Sequence, residues 1–130
     1  ARAAELGCTN THFMNPNGLF DENHYTTARD MARITAAAMQ NETFRKIAGT
    51  SEYTAHRGES NYCYFYNKNK TVHQYDGGNG VKIGYTKKSG RTLVASAERE
   101  GETVICVVMN APDWFNDAYM LMDVCFERGK

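Results

Sequence analysis

Lys82 is the side chain in this sequence whose neighbours most suggest chemistry. It stands at the start of a predicted strand, Val81–Thr86, with Gly80 and Gly84 close on either side. A lysine on the inner strand of a cleft can bind a carboxylate as a compact point charge. A lone lysine beside glycines is also common on solvated surfaces, so the pattern alone leaves both interpretations open.

The commonest nucleotide and acyl-transfer motifs are absent from the sequence. The glycines from Gly78 to Gly84 have the spacing G-x-G-x-x-x-G and precede a strand, whereas a dinucleotide site needs them to open a helix. There is no G-K-[ST] and no G-x-S-x-G, which excludes a P-loop and a nucleophile elbow. Asp21 and Glu22 fit a solvated turn and Asp30 fits a helix cap, so a catalytic carboxylate pair is not predicted.

The cysteines and histidines do not have the spacing of a metal site. No two cysteines form C-x-x-C, and the histidines are scattered along the chain, at His12, His24, His56 and His73. We therefore predict no metal and no cofactor. Cys106 falls in an apolar strand and Cys125 in an apolar helix, where we expect small buried hydrophobes. The sequence leaves the disulfide state open for all of the cysteines, Cys8, Cys63, Cys106 and Cys125.

Length and charge exclude several classes of protein. A chain of 130 residues fits one domain. Its 15 basic and 15 acidic side chains cancel, so no electrostatic footprint for nucleic acid or anionic lipid is present. The longest apolar run, Val104–Met109, is far too short to span a bilayer. The sequence begins at Ala1 with no methionine and no signal peptide, which predicts processing or a start within a longer protein.

Helical periodicity dominates the first part of the chain. Thr27 with Asp30 three residues later is similar to a capping box, and a helix is predicted from Ala28 to Gln40. Asn41 is the predicted cap of a second helix that ends at Gly49. A further helical tail is predicted at the start of the chain, over residues 1–6.

Strand periodicity dominates the second part. A tight hairpin is predicted at Glu100-Gly101. Because the segment Val104–Met109 is apolar on both faces, its sheet needs helices on both sides. A last helix, ending near Arg128, covers one side. The predicted strands are Val81–Thr86, Arg91–Arg99 and Glu102–Asn110.

Tyr62, Tyr64 and Tyr66 alternate with other residues in a short extended segment. Such a stripe can be a ligand platform, but a half-buried strand is the commoner structure. The whole pattern predicts an α/β chain of the α+β type, in which an antiparallel sheet is flanked by helices. We expect one partial domain over 1–130, with a helical part at 1–50 and a three-stranded antiparallel sheet plus C-terminal helix at 75–130.

Four stretches, taken together, resemble D-alanyl-D-alanine carboxypeptidases of the penicillin-binding, active-site-serine family. They cover nearly the whole chain, although residues 51–70 are least similar to the family. The stretches are Leu6–Leu19 (LGCTNTHFMNPNGL), His24–Ala32 (HYTTARDMA), Asp76–Gly101 with its centre VKIGYT, and Val108–Asp117 (VMNAPDWFND). The resemblance implies part of a β-lactamase/transpeptidase-like domain.

Members of that family use three motifs, S-x-x-K, S-x-N and K-[TS]-G. In S-x-x-K the serine attacks the carbonyl between two D-alanines. Neither S-x-x-K nor S-x-N occurs in these 130 residues, and in the family both lie N-terminal to the stretch matched here. The third motif is present in altered form as Lys82-Ile83-Gly84. The resemblance therefore implies the C-terminal half of a catalytic domain that is inactive by itself.

The resemblance also implies roles for this altered motif. Lys82 would orient the terminal carboxylate of the substrate, and the backbone N–H of Tyr85 would donate to the oxyanion. Gly84 would let the substrate backbone approach closely. Ile83 stands where the family has a threonine hydroxyl that helps to hold the carboxylate, so recognition about 10- to 100-fold weaker is expected from the lost hydrogen bond.

Two functions follow from the resemblance. In the first, the chain belongs to a serine-type carboxypeptidase that trims peptidoglycan stem peptides, with the N-terminal half of the domain as its partner and β-lactams as inhibitors. In the second, it is a catalytically inactive module that still binds stem peptides, and Ile83 marks relaxed selection. Both imply an extracytoplasmic protein of the cell envelope. A third interpretation, a fragment with no independent role, also remains open.

Overall fold

A computed structural model describes residues 2–129, which form helices on both sides of an antiparallel sheet. This architecture is the predicted one. No helix within the described range is long and apolar enough to cross a membrane. In chain order the elements are α1 (Arg2–Glu5), α2 (Ala28–Ala38), α3 (Glu42–Gly49), β1 (Glu52–His56), β2 (Tyr62–Tyr66), α4 (Thr71–Gln74), β3 (Gly78–Thr86), β4 (Gly90–Arg99), β5 (Glu102–Val108) and α5 (Trp114–Arg128).

The larger sheet is a meander in which β4 lies between β3 and β5. The predicted hairpin between β4 and β5 is confirmed: Glu100 and Gly101 have φ values of 51° and 81°, the left-handed pair that a tight two-residue turn requires. The strand β3 begins three residues earlier than predicted, at Gly78, and β5 ends two residues earlier, at Val108.

Strand β4 is the most deeply buried element of the sheet. Its residues Leu93, Ala95 and Ala97 are fully buried on the side of α5, and Val94 and Ser96 are buried on the opposite side. The apolar pattern of the sequence predicted the doubly buried segment in β5 instead. That prediction was wrong in part, because β5 is an outer strand of the described sheet and only its Val104 and Cys106 are buried.

Helix α5 covers one side of the sheet. Phe115, Ala118, Met122 and Phe126 recur every three or four residues, and all four are buried against β4 and β5. The prediction that Cys125 is a buried hydrophobe was wrong, because its side chain is exposed. It lies near the end of the helix on the flank of the buried stripe. The matching prediction for Cys106 is confirmed.

Helices α2 and α3 lie on the other side, where α2 contacts β5 and α3 contacts β3. Both predicted caps are confirmed. The Thr27 hydroxyl accepts a hydrogen bond from the Asp30 N–H at 3.1 Å, and the Asn41 side chain accepts one from the Phe44 N–H at 2.9 Å. Each cap satisfies a backbone donor that the helix itself leaves free.

The tyrosine segment forms β2, which pairs with β1 in a separate antiparallel hairpin. The prediction of a strand is confirmed, but the prediction that it is half-buried was wrong. Every side chain of β2 is exposed in the described structure. The alternation of the stripe indicates extended backbone, and it carries no information on whether a neighbouring element covers the strand.

Met122 tests the packing of α5 on the sheet, since its side chain is fully buried, whereas Met120 on the same helix is 69% exposed. Met122→Ala should lower the free energy of unfolding by about 2–5 kcal/mol through lost burial and the cavity left behind. Met120→Ala should change it by less than about 0.5 kcal/mol. Urea unfolding of the two variants measures both, and equal effects would contradict this packing.

Candidate functional site

The predicted site residues, Lys82 to Tyr85, lie in the middle of β3. Within the described residues β3 pairs with β4 on one side only, so its other edge is open. The hydrogen-bonding pattern of β4 determines which groups of β3 face that edge. The Ala111 N–H donates to the Arg91 carbonyl at 3.0 Å, so Arg91 and the residues at odd numbers after it in β4 direct their backbone groups toward β5.

The residues at even numbers in β4 consequently face β3. Lys82 is opposite Val94 and Gly84 is opposite Thr92 in the register. Directly opposed residues of an antiparallel pair alternate between exchanging both hydrogen bonds and exchanging none. Lys82 and Gly84 are therefore bonded to β4.

The alternate residues, Val81, Ile83 and Tyr85, direct their N–H and carbonyl groups outward along the open edge of β3. A contact of Lys82 supports this assignment, since its Nζ donates to the Ile83 carbonyl oxygen at 2.5 Å. The Tyr85 N–H faces the same edge, two residues further along β3. The strand thus presents a cation, an acceptor and an amide donor to one side.

Side chains alternate between the two faces of β3. Lys82 is opposite Val94, so it projects on the face away from α5, and it is exposed. Ile83 is opposite Leu93 and is partly buried against the core on the α5 side. At Gly84 a Cβ would meet no atom within 4 Å, and the Tyr85 side chain is 65% exposed. The surface at the middle of β3 is therefore open.

The segment that leads into β3 is held by a cluster that sequence analysis missed. The Tyr75 hydroxyl donates to Asp123 Oδ1 at 2.6 Å. Arg99 lies 3.6 Å from Asp123, donates to the Asp76 carbonyl at 3.0 Å and covers the ring of Tyr75. We call these residues, Tyr75, Asp76, Arg99 and Asp123, the β3 clasp. It joins the entry of β3 to the end of β4 and to α5.

Burial raises the pKa of the Tyr75 hydroxyl well above its usual value, and the hydrogen bond to Asp123 raises it further. The hydroxyl therefore remains a donor at all ordinary pH values. No local motif identifies this cluster in the sequence. Its members are up to 48 residues apart along the chain, so only the tertiary structure brings them together.

Close backbone packing also fixes the start of β3. A Cβ on Gly77, where φ is +75°, would collide with the carbonyl of Glu98. Gly77 thus lets the chain pass against β4 in a left-handed conformation that other residues rarely adopt. Two residues on, the Asn79 side chain accepts a hydrogen bond from the buried Ser96 hydroxyl.

The other candidate residues do not converge on β3. Asp30 is buried, and its Oδ2 accepts from the Asn10 N–H at 2.9 Å and from the Thr11 hydroxyl at 2.8 Å. Asp21 accepts from the N–H of Asn23, and His24 accepts from the N–H of Met14. These contacts all lie within residues 10–30 and hold the segment before α2 in place.

The sequence is similar to that of known D-alanyl-D-alanine carboxypeptidases. A family model for D-alanyl-D-alanine carboxypeptidase matches residues 1–113, including the poorly similar stretch 51–70. The chain is 37% identical over 110 residues to the D-alanyl-D-alanine carboxypeptidase DacF of Bacillus subtilis, covering 85% of this chain and 28% of the relative. It is 33% identical over 132 residues to the D-alanyl-D-alanine carboxypeptidase of a Streptomyces species, strain K15, covering 95% and 45%.

Solved structures agree with the sequence comparison. A point mutant of the Streptomyces K15 DD-transpeptidase superimposes with a TM-score of 0.91 at 34% identity, over 97% of this chain and 52% of that chain. A D-alanyl-D-alanine carboxypeptidase from Mycobacterium tuberculosis superimposes with a TM-score of 0.87 at 29% identity, over 97% and 50%.

The fold is therefore that of the penicillin-binding DD-peptidases. Within that class, the chain belongs to the D-alanyl-D-alanine carboxypeptidase family. It spans about half the length of the solved DD-transpeptidase and less than half that of the curated relatives named above. The matched residues, 1–113, include Lys82-Ile83-Gly84.

The β3 clasp predicts an effect of Tyr75→Phe on the complete protein. Loss of the hydrogen bond to a partly exposed carboxylate should lower the free energy of unfolding by about 1–2 kcal/mol at neutral pH. An unfolded tyrosine ionises near pH 10, whereas folded Tyr75 keeps its proton. The parent protein should therefore lose stability as the pH rises above about 10, and the variant should lose less.

Urea unfolding at pH 7 and at pH 10.5 measures both effects. The control is Tyr62→Phe, because the Tyr62 side chain is 70% exposed on the separate hairpin and should change stability little. If both substitutions have the same effect at both pH values, the clasp does not stabilise the entry of β3.

Proposed function

We propose that this chain is the C-terminal part of the catalytic domain of a serine-type D-Ala-D-Ala carboxypeptidase acting on peptidoglycan stem peptides. The observation that carries the proposal is the open edge of β3, where exposed Lys82 and the outward Tyr85 N–H lie together. The nucleophile of S-x-x-K, which these 130 residues lack, would come from another part of the protein.

The edge of β3 suits an extended peptide substrate. A peptide can add to an open strand edge through main-chain hydrogen bonds, here to the outward groups of Val81, Ile83 and Tyr85. Lys82 would release the Ile83 carbonyl, which it now contacts at 2.5 Å, and would bind the terminal carboxylate of the peptide. Gly84 leaves room for this approach because no atom lies near its Cβ direction.

Catalysis would require the Tyr85 N–H at the scissile carbonyl. When a serine attacks that carbonyl, its oxygen gains negative charge, and a fixed amide donor stabilises this charge more than it stabilises the ground state. The donor is held in position because the neighbouring residues Gly84 and Thr86 pair with β4. A second donor would come from the residue that bears the nucleophile, as in other acyl-transfer sites.

Ile83 supports a second candidate, a stem-peptide binding module without catalysis. Its side chain cannot donate to a carboxylate, and it packs partly buried against the core. A hydrocarbon at this place favours strand packing over polar recognition. In either function we propose an extracytoplasmic location, since peptidoglycan lies outside the membrane.

A labelled penicillin tests the proposal by intact-mass spectrometry. The complete protein should gain the mass of one penicillin, whereas the 130-residue chain alone should gain none, because covalent capture needs the missing nucleophile. An adduct on the isolated chain would contradict our assignment of the nucleophile. A complete protein that binds stem peptides without forming an adduct would favour the binding module.

Two lysine variants of the complete protein act as the matched pair in that experiment. Lys82→Ala should slow acylation by about 10- to 100-fold, because a charge-assisted contact to the carboxylate contributes about 1.5–3 kcal/mol. Lys87→Ala removes an exposed lysine from the β3–β4 turn and should leave the rate within about twofold. Equal rates for both variants would exclude Lys82 from the site.

Ile83→Thr in the complete protein tests the altered motif. The added hydroxyl should raise kcat/KM for a peptide ending in D-Ala-D-Ala by about 10- to 100-fold. Ile83→Val keeps the residue apolar and β-branched, so it should have little effect. Unchanged kinetics with Ile83→Thr would show that position 83 does not contact the carboxylate.

A further inference from the structure

The two flanks of α5 lie over different parts of the molecule. On one flank, Tyr119 packs against Tyr75 with ring centroids 5.0 Å apart, and Asp123 accepts the Tyr75 hydrogen bond. Since Tyr75 lies in the segment before β3, this flank faces β3. The strand order β3-β4-β5 then places the opposite flank over β5.

Cys125 lies on the flank that faces β5. It follows the fully buried Ala118 by seven residues, which is close to two helical turns, so the two side chains share one line along the helix. Its side chain is nevertheless exposed. At the end of the helix, a Cβ on Gly129 would lie within 3 Å of the Glu102 carboxylate. The C-terminal end of α5 is therefore beside the start of β5.

Cys106 is in that strand and faces α5. Its side chain is buried in the core with Phe115, Ala118 and Met122. Burial raises the pKa of the Cys106 thiol to about 11, and the nearby thiol of Cys125 contributes to the rise. This electrostatic contribution agrees with the positions of the flank and the strand, which place both thiols at the contact between α5 and β5.

We propose that Cys106 and Cys125 form an intramolecular disulfide under oxidising conditions. In the structure both are free thiols. A low-molecular-weight disulfide, such as oxidised glutathione, would react first with the exposed Cys125, giving a mixed disulfide and releasing one thiol. The Cys106 sulfur would then lose its proton and attack Cys125 Sγ, which releases the second thiol. Two cysteine thiols are oxidised and one disulfide is reduced to two thiols.

The bond would join α5 directly to β5. The loop that the disulfide closes, residues 106–125, contains the end of β5, the connection to α5 and most of α5. Cross-linking such a loop restricts the unfolded chain and should raise Tm by roughly 5–10 °C. Oxidising extracytoplasmic compartments favour the bond, so its presence in cells depends on the location proposed above, whereas its formation in vitro does not.

The other two cysteines serve as controls. Cys8 is buried beside α2, where its thiol donates to the Asp30 carbonyl at 3.5 Å. Cys63 is exposed on β2, and its partner in the register is Ala55. Neither is adjacent to α5, so neither competes for Cys125 within the described residues.

Peptide mass spectrometry of the complete protein tests the proposal. The protein is equilibrated with oxidised glutathione or with dithiothreitol, treated with N-ethylmaleimide while denatured, and digested with trypsin. No lysine or arginine lies between Arg99 and Arg128, so one peptide, 100–128, contains both cysteines. After oxidation it should be two hydrogen atoms lighter and carry no maleimide.

Tm measurements on variants complete the test. The oxidation-dependent rise in Tm should disappear in Cys125→Ser, which changes an exposed residue, and in Cys106→Ala, and it should persist in Cys63→Ser. Maleimide on both cysteines, glutathione alone on Cys125, or a cross-link from 100–128 to another cysteine would each overturn the proposal. Such results would remain decisive even if Cys106→Ala failed to fold.

Discussion

The burial of β4 on both faces is the constraint on which the rest of the structure depends. Leu93, Ala95 and Ala97 require α5 on one side, and Val94 and Ser96 require cover on the other side, where α2 contacts β4. A strand enclosed in this way must also pair on both edges to satisfy its backbone groups. The outer position of β3 and the outward direction of its alternate amides follow from that requirement.

The candidate site therefore arises from backbone geometry more than from a cluster of reactive side chains. Lys82 supplies the charge, but the donor and acceptor groups beside it belong to Ile83 and Tyr85 and are fixed by hydrogen bonds of their neighbours to β4. A shift of one residue in the register would turn these groups inward and exchange the faces of Lys82 and Ile83. The β3 clasp and the close passage of Gly77 oppose such a shift at the entry of the strand.

Local sequence signals predicted the elements whose causes are local. Thr27 and Asn41 are caps because their side chains reach the next turn of helix, and Glu100-Gly101 is a turn because both residues have positive φ. The position of Lys82 on a strand edge could be anticipated only through the family resemblance. The β3 clasp, the exposure of β2 and the exposure of Cys125 depend on which elements contact each other in the tertiary structure. The periodicity of the sequence does not determine those contacts.

Ile83 connects the packing of the sheet with the choice between enzyme and binding module. Its side chain faces the core on the α5 side, whereas its backbone groups face the open edge. A threonine there would replace part of the hydrocarbon that packs against the core with a hydroxyl, which lowers the free energy gained from apolar burial. Isoleucine thus stabilises the strand that carries Lys82 and the Tyr85 amide, while it removes one donor from the surface.

The backbone edge and the lysine, which an extended peptide uses in both functions, are unaffected by the exchange of threonine for isoleucine. The remaining difference between the functions is the attacking hydroxyl, so these residues of the β3 edge are compatible with catalysis and do not by themselves require it.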